Sequence, residues 1–567
     1  MRLLLLLFVL VPSVPPPALA AEPPSRERVQ QALRKAVEFY RTKVSTQGGY
    51  HFSYAEDLSY GRSEHGEGPT QVEVQRQGTP LIGMAYLTAY EATGDPYYLD
   101  AARETAYALV KGQYCSGGWD YIIEFDPAKR KQYPYRADGG CEGAFAAGGP
   151  VTTLDDNITQ GAIRLLMRVD RELRFQDPKI RDAARFALDS LVKAQYPNGA
   201  WPQRYNRFPD PERFPVRRAS YPESWVRAWP GANFQGHYTF NDNSIVDVID
   251  LMLEAARIYN DARYTAAAEK GGEFILLAQM PDPQPGWAQQ YDQDMHPAWA
   301  RRFEPPSITG GESQSVMQIL MVLYRETGKK KYLEPLPRAL DYYRRSALPA
   351  TGQPSEQRAR ACPAGTTCMA RFYELKTNRP LYITKGTRVR AASQPEVIVD
   401  GYQLSYSDES VITHYGVLVN GDRLKTIAAE YDRLAKADPS QSRRPDRLRG
   451  LSPWTGGLTP VGSGETARRR PGSATDPASR VEAILLSMDE RGSWVEDGNI
   501  GRADRLVSVF AAKDMVVALG NQTLPIKEND TLQVFQGRDE PKRRIIRSQT
   551  FAGNIEALSA YLVAMKR

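Results

Sequence analysis

Acidic residues recur where predicted helices begin. The segments TTLDDNITQ (152–160) and TFNDNSIVD (239–247) place Asp155, Asp156 and Asp242 directly before apolar runs of helical period. For any one aspartate alone, a helix N-cap is the ordinary interpretation. Repetition of Asp-Asp and Asn-Asp-Asn at equivalent places favours a shared carboxylate-lined metal site instead. Oxygen ligands of this kind suit a hard cation such as calcium.

Other catalytic chemistries have weaker support in the sequence. The chain has only five histidines, and no two of them lie at helical metal-ligand spacing. Its four cysteines lack CxxC spacing, so we reject a zinc site. Zinc-protease and Ser-His-Asp mechanisms are therefore poorly supported.

A long repeat predicts the elements that position the aspartates. Glycine-aromatic signals at 48–50, 117–119, 199–201, 286–287 and 492–494 follow amphipathic helical patterns such as ARFALDSLVKAQ (184–195). Between them lie helices that are apolar on more of their surface, such as ITQGAIRLLMRVDREL (158–173). Alternating outer and inner helices predict an all-α fold, an incomplete (α/α) toroid. A protein-binding solenoid could share the pattern, but it rarely needs long irregular inserts at one end of every unit.

The tryptophans of these signals have two interpretations. Trp119, Trp201, Trp287 and Trp494 could stack on sugars, but packing wedges that close each repeat are the favoured interpretation.

The N-terminus and the cysteines predict export. Residues 1–20 read as a signal peptide that ends in Ala18-Leu19-Ala20, and we expect a secreted protein, extracellular or periplasmic, with no membrane anchor after cleavage. Disulfides are then expected. Sequence order suggests Cys115 with Cys141 and Cys362 with Cys368, out of three possible pairings. The formal net charge is +6, and the charged residues are interspersed along the chain. This balance suits an acidic polymer as substrate but differs from the clustered basic face of a nucleic-acid binder. We expect a monomer.

Several ordered stretches resemble the family ten polysaccharide lyases, which are pectate lyases. They are AWPQRYN (200–206), TTLDDNITQ, TFNDNSIVDVIDLM (239–252), GWAQQYD (286–292), PAWARRFEPPSITGGES (297–313) and ARFYELKTNRPLYI (370–383). The resemblance covers about 150–385, and it continues more weakly near the C-terminus.

This resemblance implies roles for individual residues. Asp155 and Asp242 look like the family's calcium-binding aspartates. Asp156 stands where the family usually has asparagine, and we assign it to substrate binding, where it either tightens calcium or caps the helix. Arg301 and Arg371 are similar to the arginines that hold substrate carboxylates, because a planar guanidinium pairs two oxygens at once. Glu304 and Glu312 either orient ligands or cap a helix.

The catalytic base departs from the family pattern. Fourteen residues beyond Arg371, where the family has arginine, this chain has Lys385. Lysine can act as a base only where a nearby cation or burial lowers its pKa. Arg388 or Arg390 could take the position if the loop is rearranged.

The sequence also predicts a domain organisation. A toroidal lyase domain spans 21–390, an irregular insert with a loop rich in Pro, Gly and Arg spans 391–478, and C-terminal helices at 479–567 complete the toroid. Residues 504–535 form a β-hairpin-like insert.

The expected function is calcium-assisted β-elimination of polygalacturonate or a related uronan. Two alternatives stay open at this point. One is a glycoside hydrolase that acts on an acidic polysaccharide, and the other is a catalytically impaired uronan-binding homologue.

Overall fold

Helices arranged in consecutive pairs form most of the structure. The computed structural model describes residues 23–139, 141, 151–231, 233–350, 355–389, 397–409, 411–412, 415–438, 476–500, 504–510, 514–519, 522–526, 531–537 and 543–565. The helices are α1 (Arg26–Phe39), α2 (Thr79–Thr93), α3 (Pro96–Gly112), α4 (Ile158–Glu172), α5 (Pro178–Ala194), α6 (Ser244–Tyr259), α7 (Ala262–Ala278), α8 (Glu312–Thr327), α9 (Leu336–Arg345), α10 (Glu356–Ala361), α11 (Arg423–Lys436), α12 (Pro477–Leu486) and α13 (Ser548–Ala564).

Burial separates inner from outer helices. In α4, 13 of 15 residues are buried, whereas in α5 only 8 of 17 are, and these recur at three- and four-residue steps. A helix buried nearly all round must lie inside the fold, and one with a single apolar stripe must lie outside it. The even-numbered α2, α4, α6 and α8 pack in sequence along the inside, and α13 packs against α2. The predicted (α/α) toroid is confirmed.

The tryptophans of the repeat are packing residues, as the favoured interpretation held. Trp119, Trp201 and Trp287 are fully buried, and Trp494 is nearly so. Each indole N–H donates to a carbonyl in the last turn of the preceding outer helix, with N···O distances of 2.8–2.9 Å, to Leu109, Leu191, Ile275 and Ile484 respectively. Because these carbonyls lack intrahelical partners, the tryptophans terminate the helices.

Short antiparallel strand pairs connect the helices at one end of the ring. They are β1 (Ser53–Ala55) with β2 (Gly61–Arg62), β3 (Gln71–Glu73) with β4 (Ile122–Glu124), β5 (Thr152–Thr153) with β6 (Arg204–Tyr205), and β7 (Tyr238–Thr239) with β8 (Gln290–Tyr291). The pairs β3–β4, β5–β6 and β7–β8 each join the entrance of one inner helix to the loop that follows the next outer helix, so these loops gather at one rim, whereas β1 and β2 lie in the same connection between α1 and α2.

Further strands lie between residues 308 and 547, and those of five residues or more all begin at or after Pro380, in the C-terminal third where the predicted fold class has its β-rich inserts. They are β9 (Ile308–Thr309), β10 (Cys368–Ala370), β11 (Phe372–Tyr373), β12 (Pro380–Val389), β13 (Val397–Ser405), β14 (Leu418–Asn420), β15 (Val495–Gly498), β16 (Asp504–Phe510), β17 (Met515–Leu519), β18 (Gln522–Ile526), β19 (Thr531–Gly537) and β20 (Arg543–Arg547). One sheet has the order β16-β19-β13-β12-β11-β9, and β17 pairs with β18. Another has the order β15-β20-β1-β2, which joins the two ends of the chain.

Both predicted disulfides are present, Cys115–Cys141 and Cys362–Cys368. Among the described residues, no helix combines the length and apolar character that a membrane crossing needs. The predicted signal peptide and the domain boundary at residue 390 lie outside the described residues. The boundary at 478 stays a prediction.

A buried glutamine ties each outer helix to the next. The side-chain amide of Gln195 donates to the Gly199 carbonyl in its own turn and to the Ala267 carbonyl of the next outer helix, both at 2.9 Å. Gln113 and Gln279 make the corresponding pairs of bonds.

Because methionine has a similar volume but cannot donate, Gln195→Met should leave two carbonyls unsatisfied and cost about 1–3 kcal/mol of stability. Scanning calorimetry should show a lower Tm for Gln195→Met and no change for Gln176→Met, an exposed control. An unchanged Tm for the first variant would contradict this role.

Candidate functional site

A repeated backbone hydrogen bond fixes the register of the rim. The amides of Val74, Leu154, Phe240 and Gly310 donate to the carbonyls of Tyr121, Gln203, Gln289 and Arg371 respectively, at 2.7–2.8 Å. Two residues beyond each donor, equivalent positions hold Arg76, Asp156, Asp242 and Glu312. The aspartates that the sequence singled out therefore lie on neighbouring repeats of one rim, and Asp156, rather than Asp155, is the counterpart of Asp242.

Both aspartate loops have the same unusual turn. The turns Asp155–Asn157 and Asn241–Asn243 have left-handed backbone at their last two residues, with φ between 46° and 62°. Asp and Asn accept this conformation more readily than other side chains with a Cβ. The Asn157 amide donates to Asp247 on the neighbouring inner helix at 2.7 Å, which holds the first turn against the second.

The three aspartates meet in space. Asp155, Asp156 and Asp242 each offer one carboxylate oxygen, and these three oxygens lie within 4.8 Å of one another. Asp155 is buried, and its Oδ1 atom has no hydrogen-bond partner among the described residues. The helices that follow, α4 and α6, have no side-chain N-cap bond, so the capping interpretation of these residues is wrong.

The electrostatics of the cluster favour a bound cation. Burial, together with the charge of Asp155, raises the pKa of Asp242 to about 7. Burial and the charges of Asp155 and Asp242 raise the pKa of Asp156 well above its usual value. Three carboxylates so close together resist ionisation unless positive charge is added. An all-oxygen donor set with this spacing fits a divalent hard cation, whose bonds to oxygen span 2.3–2.6 Å for calcium.

Arg301 faces the cluster. Its Nη2 atom lies 4.0 Å from Asp242 Oδ2, and its guanidinium makes a two-point pair with Glu304, at 2.9 Å from Nε to Oε2 and 2.6 Å from Nη2 to Oε1. Its side chain is 34% exposed, so part of the guanidinium remains open to a ligand. Glu304 therefore orients Arg301 and does not cap a helix.

Arg371 lies deeper. It is fully buried, and its Nη2 atom donates to Glu312 and, at 3.3 Å, to Asn241. Its Nε and Nη1 atoms have no partner among the described residues. The ring of Tyr415 covers the guanidinium, with 4.1 Å between the guanidinium carbon and the ring centroid.

Tyr415 connects the two arginines. Its hydroxyl donates to Glu304, the partner of Arg301, at 2.8 Å and accepts from the Gln289 amide at 2.8 Å. Its ring also lies 5.4 Å from the Arg301 guanidinium. The sequence did not indicate Tyr415, because it follows the stretch with the clearest family resemblance. Gln289 was also missed, although its place two residues after Trp287 is a repeated position that could have identified it.

The predicted base lies on strand β12. Leu381 of β12 pairs with Phe372, so the backbone of Lys385 lies four residues, or about 13 Å, further along the strand. Lys385 pairs with Tyr402, and the register shifts between Lys385 and Thr387. The structure describes only the backbone of Lys385 and Arg388, and Arg390 lies outside the described residues. The role of Lys385 stays a prediction.

A family model described as pectic acid lyase matches residues 128–394. This segment of the chain is therefore similar to the pectic acid lyases. The match supports a lyase enzyme. Asp155, Asp242, Arg301, Arg371 and Lys385 all lie inside the matched segment, whereas Tyr415 lies beyond it.

Similar solved structures include the family 10 polysaccharide lyase from Cellvibrio cellulosa. An aspartate-to-alanine mutant of that lyase, in complex with trigalacturonic acid, is 20% identical over 62% of this chain and 98% of the other, with a TM-score of 0.41. A second structure of the lyase is 22% identical over 53% of this chain and 84% of the other, with a TM-score of 0.36. A D-mannose isomerase is 13% identical over 62% and 74%, with a TM-score of 0.35. No curated protein matches the chain.

The raised pKa of Asp242 predicts how the stability of the protein depends on pH when a chelator is present. The folded state holds a proton on Asp242 up to about pH 7, whereas the unfolded chain releases it near pH 4. Stability from this group is therefore full below about pH 4 and is lost as the pH rises through about 7. Thermal melts from acid to neutral pH should show a smaller loss for Asp242→Asn than for the wild type. Asp341→Asn, at an exposed site, is the control. Equal losses in all three proteins would contradict the assignment.

Proposed function

We propose that the protein is a secreted pectate lyase that cleaves polygalacturonate, or a related uronan, by calcium-assisted β-elimination. The observation that carries this proposal is the meeting of Asp155, Asp156 and Asp242 within 4.8 Å, with Arg301 4.0 Å from Asp242. An anionic cluster beside a partly open guanidinium suits a ligand that needs a cation and an arginine at once, as a sugar carboxylate does.

The three aspartates would hold the calcium ion. When bound, the ion supplies positive charge to the substrate carboxylate, which makes the neighbouring C5 proton more acidic. Arg301 would orient the same carboxylate with the part of its guanidinium that Glu304 leaves exposed. Arg371 would use its unpartnered Nε and Nη1 atoms once the Tyr415 ring is displaced from them.

Lys385 is the proposed base. Its neutral amine takes the proton from C5, the electron pair forms the C4–C5 double bond, and the C4–O4 bond breaks. Water protonates the leaving O4 atom. The product is a 4,5-unsaturated uronate at the new non-reducing end.

The site is less suitable for a glycoside hydrolase. Hydrolases place two carboxyl groups roughly 5–5.5 Å or roughly 6.5–9.5 Å apart, so that a sugar or a sugar with water fits between them. Here the three ligand oxygens lie within 4.8 Å of one another, which suits one small cation. A uronan-binding homologue without turnover stays the second candidate, because Lys385 replaces the arginine of the family pattern.

Two further features support export and an acidic substrate. Both disulfides, Cys115–Cys141 and Cys362–Cys368, suit an oxidising compartment. The net charge of +6 favours association with a polyanion.

Product analysis tests the proposal. The purified protein with polygalacturonate and calcium should generate ultraviolet absorbance from the unsaturated product, and a chelator should abolish it. A hydrolase would generate new reducing ends without this absorbance. Reducing ends without absorbance, or turnover that is unaffected by the chelator, would contradict the proposed reaction.

The same assay assigns the base. Lys385→Ala should lower kcat by about 10²–10⁴-fold, the usual contribution of general base catalysis. Arg388→Ala is the matched control on the same strand and should retain activity. A lower kcat for Arg388→Ala than for Lys385→Ala would assign the base to Arg388 instead. If both variants still generate the absorbance, neither residue is the base.

A further inference from the structure

A second group of polar residues lies on the rim beside the aspartates, toward the first repeat. Arg204 of β6 pairs with Thr153 of β5, and Asp155 follows Thr153 by two residues. Tyr121 and Asp120, from the loop before β4, lie close enough for Asp155 to raise the pKa of both, after the larger effect of burial. Asp120 and Tyr121 belong to the repeat before Asp155, whereas Arg301 lies in the loop between β8 and β9, after the repeat of Asp242.

Arg204 forms no salt bridge among the described residues, although its charge lowers the pKa of the neighbouring Asp120 against the larger effect of burial. Its Nη2 atom donates to the Tyr121 hydroxyl at 2.6 Å, and its guanidinium lies 5.2 Å from the Tyr121 ring centroid. Within the described part of the chain, it makes no ion pair, and its side chain is half-buried. By contrast, Arg301 and Arg371 each have a glutamate partner. A half-buried arginine held by a neutral phenol keeps donors for an external anion.

Asp120 has a free acceptor. Its Oδ1 atom is buried and has no hydrogen-bond partner among the described residues. A buried acceptor without a partner is unfavourable unless a ligand or water donates to it. Sugar hydroxyls are donors of the required kind, so Asp120 and Arg204 together match a sugar that has both hydroxyls and a carboxylate.

The tyrosine between them is held in place. His65 stacks on Tyr121 with 3.6 Å between ring centroids, and its Nδ1 atom lies 3.4 Å from the buried Glu73. Glu73 in turn accepts from the Gly66 amide at 2.9 Å. The phenol that orients Arg204 is therefore fixed by the first repeat before any ligand binds, and pre-organised groups of this kind lower the entropic cost of binding.

We infer that Arg204, Tyr121 and Asp120 form an additional subsite, which binds the carboxylate and hydroxyls of a uronate unit next to the unit that is cleaved. The inference rests on the proposed function, because it takes the polymer to be a uronan that crosses the aspartate cluster. Arg204 sets specificity for an acidic sugar at this position, and it does not take part in proton transfer.

Dependence on chain length tests the subsite. Arg204→Gln should raise KM for polygalacturonate about tenfold, as expected when a charge-assisted hydrogen bond is lost. It should leave kcat and KM unchanged for the shortest oligogalacturonate that the enzyme cleaves, because that substrate does not reach the subsite. The KM of Arg204→Lys for polygalacturonate should lie between those of the wild type and Arg204→Gln, because lysine keeps the charge but lacks the planar guanidinium. Arg345→Gln, at an exposed site on α9, is the control for loss of one positive charge.

Two results would overturn the inference. One is an equal rise in KM for substrates of every length, and the other is no change for polygalacturonate. Thermal melts of each variant check that the fold is intact.

A binding measurement tests the subsite independently of the proposed reaction. If the wild type generates no unsaturated product, the lyase proposal fails, and calorimetry with hexagalacturonate then tests the subsite alone. Weaker binding by Arg204→Gln than by Arg345→Gln would support the subsite, and equal affinity would overturn it.

Discussion

Mutual repulsion among three closely spaced carboxylates, one buried and two half-buried, determines the character of the site. Asp155, Asp156 and Asp242 offer oxygens within 4.8 Å of one another, and the pKa of Asp242 is raised to about 7 by burial and by Asp155. A chain left to relax would separate such charges. They stay together because the turns that hold them are fixed at both ends, by the strand pairs β5–β6 and β7–β8 before them and by the inner helices after them. The concentrated negative charge is what makes this rim a candidate cation site rather than one more set of helix starts.

The repeat supplies that rigidity, and it also places different chemistry at equivalent points. One backbone hydrogen bond recurs in four repeats, and the residues two positions beyond it are Arg76, Asp156, Asp242 and Glu312. The scaffold is thus constant while the side chains change from cation to carboxylate around the rim. The buried tryptophans and the glutamines that bridge neighbouring outer helices keep those helices in register. The inner helices therefore present these side chains at a constant spacing. Tyr415 then links the arginines of the last two repeats through Glu304 and the Arg371 guanidinium.

Much of this architecture could be predicted from local sequence signals. Helical periodicity and the recurring glycine-aromatic signals indicated the outer and inner helices, because both patterns reflect burial within a single repeat. Asp155, Asp156 and Asp242 could be identified because they recur. Their exact register could not, since it is set by a hydrogen bond between Leu154 and Gln203 that no spacing in the sequence reveals. Tyr415 was out of reach for the same reason, because its partner Glu304 lies 111 residues earlier.

We propose that one rim holds a divalent cation and a sugar acid together. A crystal structure of the Lys385→Ala variant, soaked with calcium and trigalacturonate, tests it most directly. We expect anomalous density for calcium bonded to oxygens of Asp155, Asp156 and Asp242, with a uronate carboxylate in contact with both the ion and Arg301. A cation or sugar bound away from these aspartates, with the cluster protonated and empty, would contradict it.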